Sequence, residues 1–505
     1  MLKSDIDGKV YRKTFWHRII LKKLSAPIVI LFLLVCSLAV SFLIAREGYV
    51  LGIIILCGII AIPVAYAVVA HPDSGMVILI VLSFFVNESS RFLPEPTPIG
   101  LVLDAVTYLL ILGFFVRQKK EHDWGYFKNS ITYFVLIWIG YNIFEIINPE
   151  QPTILEWVYT VRTIAFVMLM YFIFLYHIRS KEYIRFLIKL LLVLELIGAL
   201  AAFQQEQFGL FSFENIWLNR EPGRFQLLFI GGHLRKWGIF SDPVVFAFNM
   251  VSGCLICISL ILSKISRTKK IILGLIGGFF FMTLLYSGTR SSYVIVPAAL
   301  VMVVILNFNV RLFFVTIFAA LGLAFMIMVP TRNPTIARFQ SAFKPTHDRS
   351  FEERARNQER IKPYIQAHPI GGGLGSVGIW GARFAPNSYL AKFPPDSGYV
   401  RIAVELGYVG LFIYCLFNFI VLYKGITYYY LIKDPELKSY CLAMVLIIFA
   451  LDIGNYPQQS TVQYPTNILY FLALALINVT MRLDIEQRQP GKIDQELIGN
   501  VGGER

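Results

Sequence analysis

The chain has 505 residues, of which 56% are hydrophobic and only 15% charged. That balance excludes a soluble globular enzyme and places the chain among polytopic membrane proteins. The net charge of +14 reads as the loop bias of such proteins and not as a nucleic-acid footprint, so no nucleic-acid partner is expected.

Residues 1–26 form a basic tail that leads into the first apolar run without a cleavage signal, so that run is expected to act as an uncleaved anchor. A helix needs about 20 apolar residues to cross a hydrocarbon core of about 30 Å. Such runs follow near 27–45, 49–70, 75–87, 99–116, 130–148, 158–177, 183–203, 243–262, 271–287, 291–307, 312–330, 402–423, 439–455 and 465–480. The third is short and reads as a span or as a re-entrant segment. The fold class is therefore all-α: a polytopic integral membrane protein with about 12–14 transmembrane helices and one large exported loop. The membrane domain spans 27–480, and 481–505 is a polar tail.

Lys and Arg accumulate in alternate loops: the N-terminal tail, 117–128, 179–189, 264–270, 424–438 and the tail from Arg482. The positive-inside rule makes these cytoplasmic, with both termini. The loops 204–242 and 331–400 then lie on the exported face. The second is basic against the rule, which binds long loops less strictly than short ones.

No Walker motif, dinucleotide fingerprint, HExxH or serine-hydrolase elbow is present. No cofactor is expected, and any reaction must draw on an activated substrate. All six cysteines fall within apolar runs. The Cys254/Cys257 pair has CxxC spacing inside an apolar helix, where a metal or redox role is not indicated.

The polar stretch from Thr331 to Arg401 holds most of the chemistry. Arg338, Arg349, Arg354, Arg356, Arg360 and Lys362 precede a glycine run at Gly371, Gly372, Gly373 and Gly375. Ser350 with Glu353 fits a capping box, which starts a helix and places Arg356 and Arg360 four apart on one face. Two such guanidiniums suit a diphosphate clamp; a solvated helix with its arginines paired to Glu352, Glu353 and Glu359 is the alternative. Glycines such as Gly373 let backbone amides approach an anion. His368, beside Pro369, reads as a structural turn or as a base. Asp396 reads as the cap of the helix it precedes or as a catalytic carboxylate, and Arg401 follows one turn on.

In the 204–242 loop, Arg220, Arg224, His233, Arg235 and Lys236 interleave with Trp217, Phe225 and Trp237, a composition that suits sugar stacking or an interfacial belt. Asp104, Glu145, Arg162, Glu195 and Asp452 fall within spans, where ionisable groups face a partner or a cavity. Arg162 is expected to pair with Glu145 or Asp452, or to reach donor phosphates.

Four segments together resemble the O-antigen ligase and O-antigen polymerase superfamily of bacterial membrane glycosyltransferases. They are Trp237-Gly238-Ile239-Phe240-Ser241-Asp242-Pro243, Ser287-Gly288-Thr289-Arg290-Ser291-Ser292, Arg360 with His368-Pro369-Ile370-Gly371 and Gly375, and Glu405-Leu406-Gly407-Tyr408-Val409-Gly410-Leu411. The resemblance implies metal-independent transfer of glycan from an undecaprenyl-diphosphate carrier to an acceptor hydroxyl at the periplasmic face of the bacterial inner membrane. Its partners would be a lipid-linked oligosaccharide donor, a glycan or lipid acceptor, membrane lipids, and a chain-length regulator or flippase. The family's two diphosphate-binding arginines map onto Arg290 and Arg360. Ligases of the family carry a histidine just before the helix that follows the loop, and this chain has Asp396 there. Arg356, Arg224, Arg401, His368 and Gly373 complete the candidate site as substrate-binding residues.

Three readings stand: a polymerase of O-antigen or exopolysaccharide repeat units, a ligase that moves finished glycan onto a lipid A-core or other acceptor, and a lipid-linked oligosaccharide flippase. A transporter is expected to show internal repeats, and none is evident here.

Overall fold

The computed structural model describes residues 27–47, 49–92, 99–230, 232–331, 334–341, 343, 349–394 and 396–488. A helix lies over each of the fourteen apolar runs. The described residues up to Ala70 form one compact unit, with α1 (Pro27–Glu47) packed on α2 (Tyr49–Ala70).

The second unit, 71–505, begins with α3 (Pro72–Ser90), α4 (Gly100–Glu121), α5 (Ser130–Phe144), α6 (Ile154–Val161), α7 (Val167–His177) and α8 (Lys181–Gln207). Of the two readings of the short third run, the span is the one observed: α3 has 19 residues, because Pro72 starts it three residues before the apolar run and polar residues extend it to Ser90. A π-helical turn, Arg162–Phe166, joins α6 to α7. Short helices α9 (Ser212–Arg220) and α10 (Arg224–Leu228) and a two-stranded ribbon, β1 (Phe229–Ile230) with β2 (His233–Leu234), follow.

Next come α11 (Pro243–Leu262), α12 (Arg267–Tyr286), α13 (Arg290–Leu306), α14 (Val310–Met328), α15 (Pro334–Ser341), α16 (Arg349–Ala367) and α17 (Gly378–Phe384). The chain ends on α18 (Gly398–Leu431), α19 (Pro435–Gly454) and α20 (Thr466–Arg488), the last running into the stretch expected to be a polar tail. Among the described residues, ten helices are long and apolar enough to cross a membrane. α11, α19 and α20 are the most buried of these and form the centre of the bundle.

Contacts between loops sort the second unit into two faces. At one, Arg179 meets Glu121 at 2.7 Å, Lys181 meets Asp434 at 2.6 Å, and the Asp434 amide donates to Asp484 at 2.8 Å. At the other, Ser241 donates to Gln463 Oε1 at 2.6 Å, Arg354 to the Pro457 carbonyl at 3.3 Å, and the Gly398 amide to the Asn455 carbonyl at 2.9 Å. The long 331–400 loop belongs to this second face, called the loop face below. The grouping is the one that alternation of the basic loops demands.

The glycine run serves a break in a membrane helix. At Gly407 (φ 66, ψ −167) α18 leaves helical geometry, which strips the preceding carbonyls of their donors. The amides of Gly372 and Gly373 supply them, donating to Val404 O at 2.8 Å and Glu405 O at 2.9 Å, and Tyr141 Oη donates to Leu406 O at 3.0 Å. Only glycine fits this approach. A Cβ on Gly407 would lie 2.0 Å from the Pro369 carbonyl oxygen.

Candidate functional site

The turn that joins α12 to α13 gathers three arginines from three distant parts of the chain. Arg235 Nε donates to Ser287 O at 2.9 Å and its Nη2 to Thr289 Oγ1 at 3.0 Å. Arg338, on α15, donates from Nε to Gly288 O at 2.9 Å. Arg290 opens α13 beside them. Gly288 (φ 61) admits both flanking side chains, since a Cβ there would sit 2.9 Å from Arg338 Nε and 3.0 Å from Arg235 Cγ. Burial pushes the Arg235 guanidinium down to about 10; the charges of Arg338 and Arg290 push the same way, and Asp242 opposes them. Cations packed this closely make a site of high positive potential.

Below this turn an apolar cavity of about 510 Å³ lies among α11, α12, α13 and α14, lined by Gly274, Gly277, Gly278, Phe281 and Pro297 among others. Pro297 is seven residues along α13 from Arg290, about 10 Å at helical rise. An anionic head at the turn and an apolar chain in the cavity are thus compatible with one amphiphile.

The motif Trp237 to Pro243 holds the turn in place. Trp237 is fully buried, the amides of Trp237 and Gly238 donate to Gln205 Oε1 at 3.2 and 3.0 Å, and Asp242 caps α11 by accepting from Val244 N at 2.7 Å. Arg91, absent from the sequence reading, is buried against Trp217 and Trp237 at 5.0 and 5.6 Å and falls to about 10 through burial, with Glu214 opposing. Trp237 is therefore core, and Trp217 is partly buried against it with arginines on its ring, not an open stacking platform. Arg224 is anchored there too, by Glu221 at 2.7 Å and the Trp217 ring at 4.4 Å.

A second edge of the site is built by α16 and the start of α18. Helix α16 begins at Arg349, one residue before the expected cap, and the Ser350 side chain lies outside the described residues. Ile361 anchors it to Val404, Val377, Leu390 and Phe393. Arg356 and Arg360 are exposed, and neither pairs with a described residue, so the expected ion pairs to Glu352, Glu353 and Glu359 do not form. Arg354, on the other side of the helix, approaches Asp396.

Asp396 is not the cap. Ser397 is, accepting from Val400 N at 3.3 Å, because its shorter side chain stands at the Ncap position. The surrounding chain raises the Asp396 carboxyl above the ordinary range; Arg354 opposes and Glu353 adds to the rise. His368 is engaged structurally: its Nδ1 lies 2.9 Å from Tyr364 O, and its ring stacks on Tyr364 at 4.0 Å.

Arg401 lines a mostly apolar cavity of about 100 Å³, to which Glu405, Asn455, Gln459 and Thr461 add polar groups. Its Nε donates to Glu405 Oε1 at 3.0 Å and its Nη1 to Gln459 Oε1 at 2.8 Å. The buried Glu405 carboxylate also faces the amides of Gly375 and Val377. The glycine run does cradle an anion, but that anion is the chain's own glutamate, and the Gly373 amide is spent on a carbonyl. This corrects the expectation that Gly373 is free to bind substrate. Arg162, the first residue of the π-turn, pairs with Asp104 at 3.3 Å rather than with Glu145 or Asp452. Among the described residues, no group of three or more His, Cys, Asp or Glu side chains is placed to hold a metal ion.

The bundle and these two edges define a polytopic membrane protein with a cationic site on the face of its long loop. A family model described as Wzy_C, O-Antigen ligase, matches residues 275–415. Residues 275–415 are thus similar to an O-antigen ligase domain, which supports a membrane glycan function of the O-antigen ligase or polymerase type. The match includes Arg290, Arg338, Arg360, Asp396 and Arg401 but neither Arg224 nor Arg235. No curated protein matches the chain.

Proposed function

We propose that the protein transfers glycan from a polyprenyl-diphosphate carrier to an acceptor hydroxyl at the loop face, read as the exported face of a bacterial inner membrane. The observation that carries this reading is the arginine turn of Arg235, Arg290 and Arg338 above an apolar cavity. In the reaction, the acceptor oxygen forms a bond to the donor's anomeric carbon. The bond from that carbon to the diphosphate breaks, and the diphosphate leaves with the electron pair. Preorganised arginines stabilise that growing charge, each by about 3 kcal/mol, without a catalytic metal. Asp396 takes the acceptor's proton; its raised carboxyl makes it a better base than an ordinary aspartate. Arg356 and Arg360, exposed on α16, meet the incoming diphosphate or acceptor anions.

Polymerisation of lipid-linked repeat units is the favoured form, because Asp396 stands where ligases of the superfamily carry histidine. Ligation to a separate acceptor is the second form, favoured by the description of the matching family model.

The test is reconstitution of purified protein in liposomes with undecaprenyl-diphosphate oligosaccharide, without nucleotide or divalent metal. Release of undecaprenyl diphosphate with a ladder of longer lipid-linked glycans is expected. Release only on addition of a separate acceptor establishes the ligase instead. No release from a native donor overturns the transferase reading and favours a transporter.

A further inference from the structure

Where the glycine run meets α6, five buried oxygens have no hydrogen-bond partner among the described residues: Gln151 Oε1, Thr153 Oγ1, Glu156 Oε1, Thr160 Oγ1 and Ser376 Oγ. Glu156, Thr160 and Ser376 are at most 1% exposed. Buried polar atoms in native proteins are nearly always satisfied, and those left over usually mark a bound water or ion.

The five residues lie along one seam. Thr153 is the Ncap of α6, and Glu156 and Thr160 lie three and seven residues on, along one helix face. The glycine run closes on that face. A Cβ at Gly373 would lie 2.4 Å from Gln151 Oε1, and one at Gly375 would lie 2.3 Å from Thr160 Oγ1. Ser376 is the next residue. Gln151 Nε2 donates to Glu156 Oε2 at 2.8 Å and to Thr153 O at 3.2 Å, which fixes the amide with its Oε1 turned away from both.

The charge is unbalanced as well. The Thr153 amide and the Gln151 side chain face the Glu156 carboxylate, but its charged neighbour is Glu405, of the same sign. The nearby cation, Arg401, is already paired with Glu405. Water satisfies hydroxyls, whereas an ionised Glu156 calls for either a cation or a proton.

We propose that this seam binds a hard cation of the alkali or alkaline-earth class. The donor set is all oxygen, with one carboxylate, one amide oxygen and three hydroxyls, which suits sodium or calcium and not a softer transition metal. The cation ties α6 to the glycine run, and through that run to the break at Gly407. It is remote in role from the arginine turn and takes no part in the transfer step.

The experiment is thermal unfolding of the full-length protein in detergent, titrated with sodium or calcium chloride against choline chloride at constant ionic strength. A saturable rise in Tm of a few degrees with one of the two cations is expected. A sodium response identifies a monovalent site and a calcium response a divalent one. Glu156→Gln should abolish the rise. Should that variant fail to fold, Thr160→Val and Ser376→Ala should each shift the half-saturating concentration several-fold upward. A Tm that is the same in choline, or a response that these variants leave unchanged, overturns the proposal and assigns the seam to water.

Discussion

Two arginine-bearing regions of the loop face look alike in composition and differ in physics. Around the α12–α13 turn, Arg235 and Arg338 spend donors on the carbonyls of Ser287 and Gly288, so the cations are fixed beside one another and beside Arg290. On α16, Arg356 and Arg360 stand in solvent with no described partner. A fixed, partly desolvated charge contributes several kcal/mol to a developing anion, whereas a mobile exposed one is weakened by water and salt. Placement, not the number of arginines, separates a charge-stabilising site from a capture surface.

The largest test of that contrast is Arg290→Ala. Glycan release should fall by at least about 100-fold, the loss of one preorganised donor, while unfolding is little changed. Activity within a few-fold of the parent would remove the turn from the site. Asp396→Asn should follow, with a loss of about 100-fold, typical of a missing general base. The wild-type rate should decline as pH falls through the raised pKa of Asp396, because the basic form is the carboxylate and protonation removes it. The asparagine variant should lack that limb, and an unchanged pH profile would sink the assignment.

Arg360→Ala is expected to cost about 10-fold, and less as salt is raised, because an exposed charge is screened over about 10 Å at 0.1 M. The Arg290→Ala defect should not shrink in the same way. Equal salt sensitivity of the two variants, measured from 0.05 to 0.5 M, over which the Debye length shrinks roughly three-fold, would erase the distinction between the regions. The smallest effect belongs to Ser397→Ala, which removes the α18 cap: about 1 kcal/mol of stability by thermal or denaturant unfolding, with transfer retained. A comparable loss of stability from Asp396→Ala, with none from Ser397→Ala, would return the capping role to Asp396.

How much of this was legible beforehand varies by element. The membrane helices were, because about 20 apolar residues in a row have few other stable fates, and the basic loops sorted themselves onto one face. Arg290 was legible from its motif. Its partners Arg235 and Arg338 were visible only as members of two basic loops, 103 residues apart in number, and nothing local marks them as neighbours. Arg91 had no signal beyond its place after a span. The glycine run was read as an anion cradle because positive φ and free amides are what glycines offer. Its amides are instead directed at Val404, Glu405 and the Glu405 carboxylate, a fact that depends on the break at Gly407 in another segment. Ser397 rather than Asp396 caps α18, a one-residue difference that propensity does not resolve.

By itself the sequence determined an all-helical membrane chain, its two faces and the loop that carries its polar chemistry, because hydropathy and charge act locally along the chain. Only the tertiary structure decided which arginines share a turn, which carboxylates are already paired, and which buried oxygens are left without partners. Those depend on desolvation and distance between residues far apart in sequence, which no local pattern encodes.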